Sequence, residues 1–283
     1  MNKSELVFGH DPVGRRPNVR KELLRLRRDP LEQMLSFVSP SAPSIFSNER
    51  TRYQAAYEFY YLSLARYLRE MSVAARYAKG PQWVHRSGGT RKYSASQRRL
   101  AEQRNQVVPF LEHDLVNCVI HARILLDRVA ALSRSFLTGQ RLPSFTSFSD
   151  HKKFFTKLKM PYGAHEAYAE YIRNRTNWFE MPLKEVRDKF VVHSSPKHMR
   201  FLTYPDGGYE LDLNIILPAS ESCEKTSANM RVIRVNALRL SYDLEGFLNW
   251  FSDYGLAALK KMAKDSRRCL ECGEPLARRA AQA

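Results

Sequence analysis

The chain has 283 residues, 43% of them hydrophobic and 11% aromatic, which is enough to bury a core and excludes a disordered polymer. Its formal net charge of +17 makes a polyanion a natural partner, nucleic acid first and an anionic membrane surface second; the bland alternative is a solvated basic surface. Four cysteines, Cys118, Cys223, Cys269 and Cys272, are too few in a chain of this length for a disulfide framework.

The first residues, MNKSELVFGHDPVGRR, are too polar for a signal peptide, and no apolar run approaches the ~20 residues that span a bilayer. The expected compartment is therefore the reducing cytoplasm, with no membrane partner.

Residues 1–48 read as a basic N-terminal arm with a short helix from Arg20 to Arg28, closed by Pro30; Ser39 to Ser44 reads as a linker. Such an arm packs over a core or grips RNA. Residues 49–78 form the first long helix, because Tyr53, Ala56, Tyr57, Tyr60, Tyr61, Leu64, Tyr67 and Leu68 recur at helical spacing. The tyrosines suit a packing face with phenol tips at water better than a base-stacking face. Lys79 to Arg99 lacks periodicity and reads as a loop. It holds cations and no acids, with Gly-Gly, Trp83 and Tyr93 among them, a mixture that suits a phosphate backbone plus stacking. Residues 49–105 are thus a helix and a basic loop packed on the core.

The clearest helix spans 106–139, with Val108, Leu111, Leu115, Cys118, Val119, Ala122, Leu125, Leu126, Val129, Leu132 and Phe136 on its apolar stripe. Cys118 reads as a buried core thiol. Asp114, His121 and Asp127 lie near a site or at the edge of that stripe. A short helix follows a cap at Ser149 or Asp150 and ends before Pro161. Another covers 163–180, with Ala167, Tyr168, Tyr171, Ile172 and Trp178 on one side. Pro182 suits the first turn of a third, which Ser194, Ser195 and Pro196 stop.

Then the pattern changes. Arg200 to Leu217 reads as two strands around Pro-Asp-Gly-Gly, and Met230 to Val235 as a third, so 200–236 is expected as a small antiparallel insertion. A last helix at 237–264 turns Leu240, Leu244, Phe247, Leu248, Phe251, Leu256 and Leu259 to the core. Residues 265–283 form a basic tail. There is no internal repeat, Walker motif or dinucleotide fingerprint.

Two motifs carry chemistry. In KEVRDKFVVHSSP, Arg187 precedes His193 by six positions, with Asp188 between. Chance alone gives about two or three arginine–histidine pairs at such gaps in this composition, so the context and not the spacing is informative. Histidine moves protons near neutral pH, and arginine clamps a phosphate with two donors. Six residues of ideal helix turn the two side chains about 120° apart over about 9 Å, so one regular helix cannot aim both at one phosphate. Either the helix unwinds near His193 or a second subunit supplies the other half. The alternative is Arg187 paired with Glu180 or Glu185, and His193 over the last carbonyls.

The second motif, Cys269-x2-Cys272 followed by glycine, looks like one knuckle of a zinc ribbon. Tetrahedral zinc needs two further ligands from distant histidines or another chain; otherwise the pair is two free thiols.

With VRDKFVVH on a short helix after a long amphipathic one, residues 106–196, together with 237–264, resemble the HEPN superfamily. The resemblance implies a mainly α bundle, HEPN-like, here carrying the small antiparallel β-hairpin or three-strand insertion. It also implies a homodimer in which two Arg-x4-6-His motifs face each other. Many members are metal-independent endoribonucleases of toxin–antitoxin, abortive-infection and CRISPR systems, and others are silent binding modules. Carried onto this chain, Arg187 would stabilise the phosphate, His193 would transfer protons and Asp188 would orient them. No catalytic cofactor is needed. Lys189, Lys197, His198, Arg173 and Arg175 are the nearby cations able to hold RNA. An antitoxin or defence-system protein is the implied protein partner. The competing reading outside this class is a purely structural helical scaffold.

Overall fold

The computed structural model describes residues 19–37, 44–77, 94–137, 145–157, 165–179, 183, 197–203, 209–218, 230–233 and 237–272. Among the described residues the protein is mainly helical. The helices are α1 (Val19–Leu26), α2 (Glu32–Phe37), α3 (Ser44–Tyr77), α4 (Ala95–Leu132), α5 (Phe148–Lys157), α6 (Glu166–Arg175) and α7 (Ala237–Cys272). Single 3-10 turns, Ser133–Ser135 and Asn177–Phe179, follow α4 and α6. Strands β1 (Lys197–Thr203), β2 (Tyr209–Pro218) and β3 (Met230–Ile233) pair antiparallel in the order β1-β2-β3. Lys197 faces Ile215 at one end of the β1–β2 ladder and Thr203 faces Tyr209 at the other. Among the described residues no helix is long and apolar enough to cross a membrane.

The chain forms two compact units. The first is Met1–Arg27, Phe59–His121 and Trp178–Ser241; the second is Arg28–Glu58, Ala122–Asn177 and Tyr242–Ala283. Three of the boundaries fall inside α3, α4 and α7, one between α1 and α2, and one inside the 3-10 turn Asn177–Phe179.

In the first unit, α3 buries Tyr60, Leu64, Tyr67 and Leu68, and α4 buries Leu111, Leu115, Cys118 and Val119. These are the 3–4 spaced positions of each helix, so the apolar period sets which face turns inward. On α1, Glu22 is buried and accepts from Nε of Arg25 at 2.9 Å. Arg25 also donates from Nη2 to Oγ of Ser241 at 2.9 Å.

In the second unit the core is aromatic. Phe136, Phe148, Phe155, Tyr168, Phe247 and Phe251 are each at most 1% exposed, and each such ring contributes about 1.5–3 kcal/mol by leaving water. Edge-to-face contacts dominate, as between Phe136 and Phe251 with centroids 5.1 Å apart at 71°. Gly255 of α7 faces this core: a Cβ there would stand 2.5 Å from Sδ of Met34 and 3.0 Å from the Phe136 ring. Tyr53 does not reach water. It is buried and donates to Oδ1 of Asp29 at 2.7 Å, while the half-buried Tyr57 donates to the Arg28 carbonyl at 3.0 Å.

Several helix limits differ from the periodicity, for local reasons. α4 starts at Ala95 rather than 106, because Ala95–Asn105 is built from strong helix formers that carry no apolar stripe. Pro109 therefore lies deep inside the helix, where it leaves the Asn105 carbonyl without its helical donor. α7 runs on to Cys272 over a similarly polar stretch. The cap of α5 is Ser147, not Ser149 or Asp150: the Asp150 amide donates to its Oγ at 3.1 Å, and that hydroxyl donates to the Asp150 carboxylate at 2.8 Å. On α6 the buried stripe is Tyr168, Ala169 and Ile172, and Ala167 is exposed. On α7, Ser252 and Gly255 are buried, whereas Leu256 and Leu259 are half-exposed.

Candidate nucleic-acid interface

Arg187, Asp188, Lys189 and His193 lie outside the described residues. Leu183, shortly before them, is fully buried. Lys197 and His198 open β1, where their backbones pair with Ile215 and Asn214.

Arg173 and Arg175 are exposed on the last turn of α6, in the second unit. Arg173 donates from Nε to the Ala169 carbonyl at 3.3 Å, which suits a cation at a helix C-terminus. One turn back from Arg175, Tyr171 stacks on Trp250 with centroids 3.6 Å apart and planes 4° from parallel. Burial raises the Tyr171 phenol, and the Arg175 charge opposes that shift.

Cys269 and Cys272 belong to the helical backbone of α7. A continuous helical backbone there differs from the tight turn of a zinc-ribbon knuckle. Among the described residues no group of three or more His, Cys, Asp or Glu is arranged to hold a metal.

In the first unit α3 and α4 together frame an open groove of about 360 Å³ that includes Tyr61, Arg66, Arg69, His113, Asp114 and Asn117. Its organising contact is the pair Arg66–Asp114. Asp114 sits one position from the apolar stripe residue Leu115 and is 1% exposed. A buried carboxylate must be paired. Arg66 Nε donates to both carboxylate oxygens at 2.8 Å, and Nη2 donates to Oδ1 as well. These bonds raise the Arg66 pKa, with the Asp114 and Glu70 charges adding to the effect, so the guanidinium is a fixed cation. Yet the Arg66 side chain is 57% exposed. A guanidinium has five N–H donors, and the carboxylate engages one edge of it. The opposite edge remains directed away from Asp114.

Further along the same helices, Phe59 stacks on His121 with centroids 5.7 Å apart and planes 16° from parallel. Burial lowers the pKa of the His121 imidazole, which favours its neutral form. Asp127, in the second unit, accepts the Phe148 amide at 2.7 Å, an N–H of the first turn of α5 that the Ser147 cap leaves over.

Of Asp114, His121 and Asp127, the polar residues singled out on the 106–139 helix, Asp114 lines the groove and the other two do not. Arg66 and Arg69 were not legible as site residues, since they flank a tyrosine stripe that reads as packing. The signal available was Asp114 itself, an acid at a stripe position that needs a cation from elsewhere in the fold.

No protein-family model, curated protein or solved structure matches the chain.

Proposed function

We propose that the protein acts on RNA as a metal-independent endoribonuclease of HEPN type, with its β strands inserted into a HEPN-like bundle. The observation that carries the reading is the net charge of +17 on a mainly helical protein. A polyanion relieves that self-repulsion, and phosphodiester contacts give affinity through released counterions. The motif Arg187–His193, with its likeness to the HEPN arrangement, supplies the chemistry. His193 takes the proton of the 2′-hydroxyl, whose oxygen attacks phosphorus. Arg187 neutralises the charge that gathers on the phosphoryl oxygens, and the 5′-oxygen leaves with a proton from the His193 of a second copy. Asp188 orients the pair. The products are a 2′,3′-cyclic phosphate and a 5′-hydroxyl, and no metal enters the balance.

The test is incubation of wild type, Arg187→Ala and His193→Ala with mixed RNA in EDTA. Cleavage by wild type alone, leaving cyclic phosphate ends, is expected. If wild type binds RNA in a salt-sensitive way and leaves it intact, the protein is a silent binding module of the same class. If it neither binds nor cleaves, it is a scaffold with incidental charge. A toxin or defence role, an antitoxin partner and a zinc held by Cys269 and Cys272 belong to the same proposal. Zinc would bind in a ratio that falls in Cys269→Ser and Cys272→Ser.

A further inference from the structure

We propose that the exposed face shared by the first-unit parts of α3 and α4 is a track for single-stranded RNA, gripped by Arg66 and Arg69 and stacked by Phe59 and Phe110. The inference deepens the reading of an RNA-directed protein and rests on it.

On α3 the residues Phe59, Leu62, Arg66 and Arg69 follow at spacings of three and four, so they share one side of the helix. Phe59 is 58% exposed, Leu62 is 52% exposed, and both arginines are exposed. On α4, Phe110 and His113 are three apart and both exposed, Phe110 at 62%. Large apolar side chains turned to water at helical spacing cannot be explained by the core, which both helices already fill from their opposite faces. They call for an occupant.

Charge selects which occupant. The groove on these helices includes the cations Arg66 and Arg69; among its described lining residues the one acid, Asp114, is already held by Arg66, and Glu70 stands beside that arginine on α3. A protein partner with an apolar ridge would leave those guanidinium donors unused. A single strand uses both features, with phosphates on the arginines and unpaired bases on the rings. Asp114 holds one edge of Arg66, so the other edge is pre-oriented in the groove and loses little freedom on binding. From Phe59 to Arg69 the face runs about 15 Å, long enough for a short run of nucleotides. A duplex would hide its bases from the rings, so the surface prefers single strands.

The test uses the full chain carrying Arg187→Ala and His193→Ala, so that cleavage cannot interfere. Binding of a fluorescent oligouridine is followed by anisotropy across a salt series. Phe59→Ala and Phe110→Ala change exposed residues and leave the buried pair intact; each is expected to weaken binding by about 5-fold or more. Arg69→Gln is expected to reduce the slope of log affinity against log salt by about 0.7, one phosphate contact on a single strand. Binding of a matched duplex should change less in the aromatic variants. Unchanged affinity and slope in all three variants would overturn the track. So would a loss of self-association in the aromatic variants without loss of RNA binding, which would make the face an interface between copies. Cleavage is scored separately, on chains with Arg187 and His193 intact, so either reading can fail while the other stands.

Discussion

The hydroxyl of Tyr168 lies 2.9 Å from Nε2 of His151, and both residues are fully buried inside the aromatic core of the second unit. Phe145 and Phe155 meet the imidazole edge-on at 4.8 and 4.9 Å, and its Nδ1 has no hydrogen-bond partner. Close by, the Ser133 hydroxyl donates to the Ala130 carbonyl at 2.7 Å. With Nε2–H donating to the Tyr168 oxygen, Nδ1 is left as a bare acceptor. That is the cheaper orphan, because a buried unpaired N–H is rarer than an under-used acceptor.

Burial lowers the His151 imidazole from 6.5 to about 3. The folded pKa is depressed, so below pH ~6.5 the unfolded chain takes up a proton that the folded chain refuses. Stability is full above that pH and falls as the pH drops, at up to about 1.4 kcal/mol per pH unit. Between pH 6.5 and 5, above the carboxylate range, urea midpoints should fall for wild type and fall less steeply for His151→Phe. At pH 7.5 the variant should lose about 1 kcal/mol for the missing bond to Tyr168. Equal slopes for both proteins would refute the assignment.

The Arg66–Asp114 pair is asymmetric, and the asymmetry predicts opposite outcomes for its two halves. Arg66 is largely exposed, whereas Asp114 is not. Arg66→Ala strands a buried carboxylate and should lower unfolding free energy by about 3 kcal/mol. Asp114→Asn leaves the cation in water with a neutral hydrogen-bonding partner, and should cost about 1 kcal/mol. Chemical denaturation of both variants checks the order. A larger loss in Asp114→Asn would mean that the pair is not held as described.

How much of this was legible in the sequence depends on the range of the interaction. The inward faces of α3 and α4 are written in a 3–4 period of Tyr, Leu, Val and Ala, and Leu111 to Phe136 take the burial that the period implies. The ends are not, because the first turns of α4 and the last of α7 are polar helix whose propensity has no periodic signature. Ser147 was hidden among Ser149 and Asp150, since a cap is defined by which amide it reaches. Arg66 and Asp114 are 48 residues apart, and Tyr168 and His151 are 17 apart; no local pattern pairs them. Arg187 and His193 remain sequence features, because they lie outside the described residues.

Asp127 serves two neighbours at once. It accepts the Phe148 amide at the start of α5, and it stands 3.5 Å from Nη2 of Arg123, which is 3% exposed. Asp127→Asn keeps an oxygen for the amide and gives up the charge, so a loss of about 1 kcal/mol is expected. Asp127→Ala removes both functions and should cost about 3 kcal/mol. Thermal denaturation should therefore rank wild type, Asn and Ala in that order. An Ala variant as stable as the Asn variant would show that the charge is compensated elsewhere.

Gly255 tests the packing of α7 against the second-unit core. Alanine is the better helix former by about 1 kcal/mol, so propensity alone would make Gly255→Ala stabilising. The Cβ, however, would meet Met34 Sδ at 2.5 Å and the Phe136 ring at 3.0 Å. The thioether can swing aside, but the ring is wedged against Phe251 and Tyr168, both at or below 6 Å between centroids. Overpacking of this kind costs about 1–3 kcal/mol and should outweigh the propensity gain. Gly246, with nothing within 4 Å of its own Cβ position, is the control: Gly246→Ala should stabilise by up to about 1 kcal/mol. Urea unfolding that finds both variants stabilised would mean that α7 has room to shift away from Phe136.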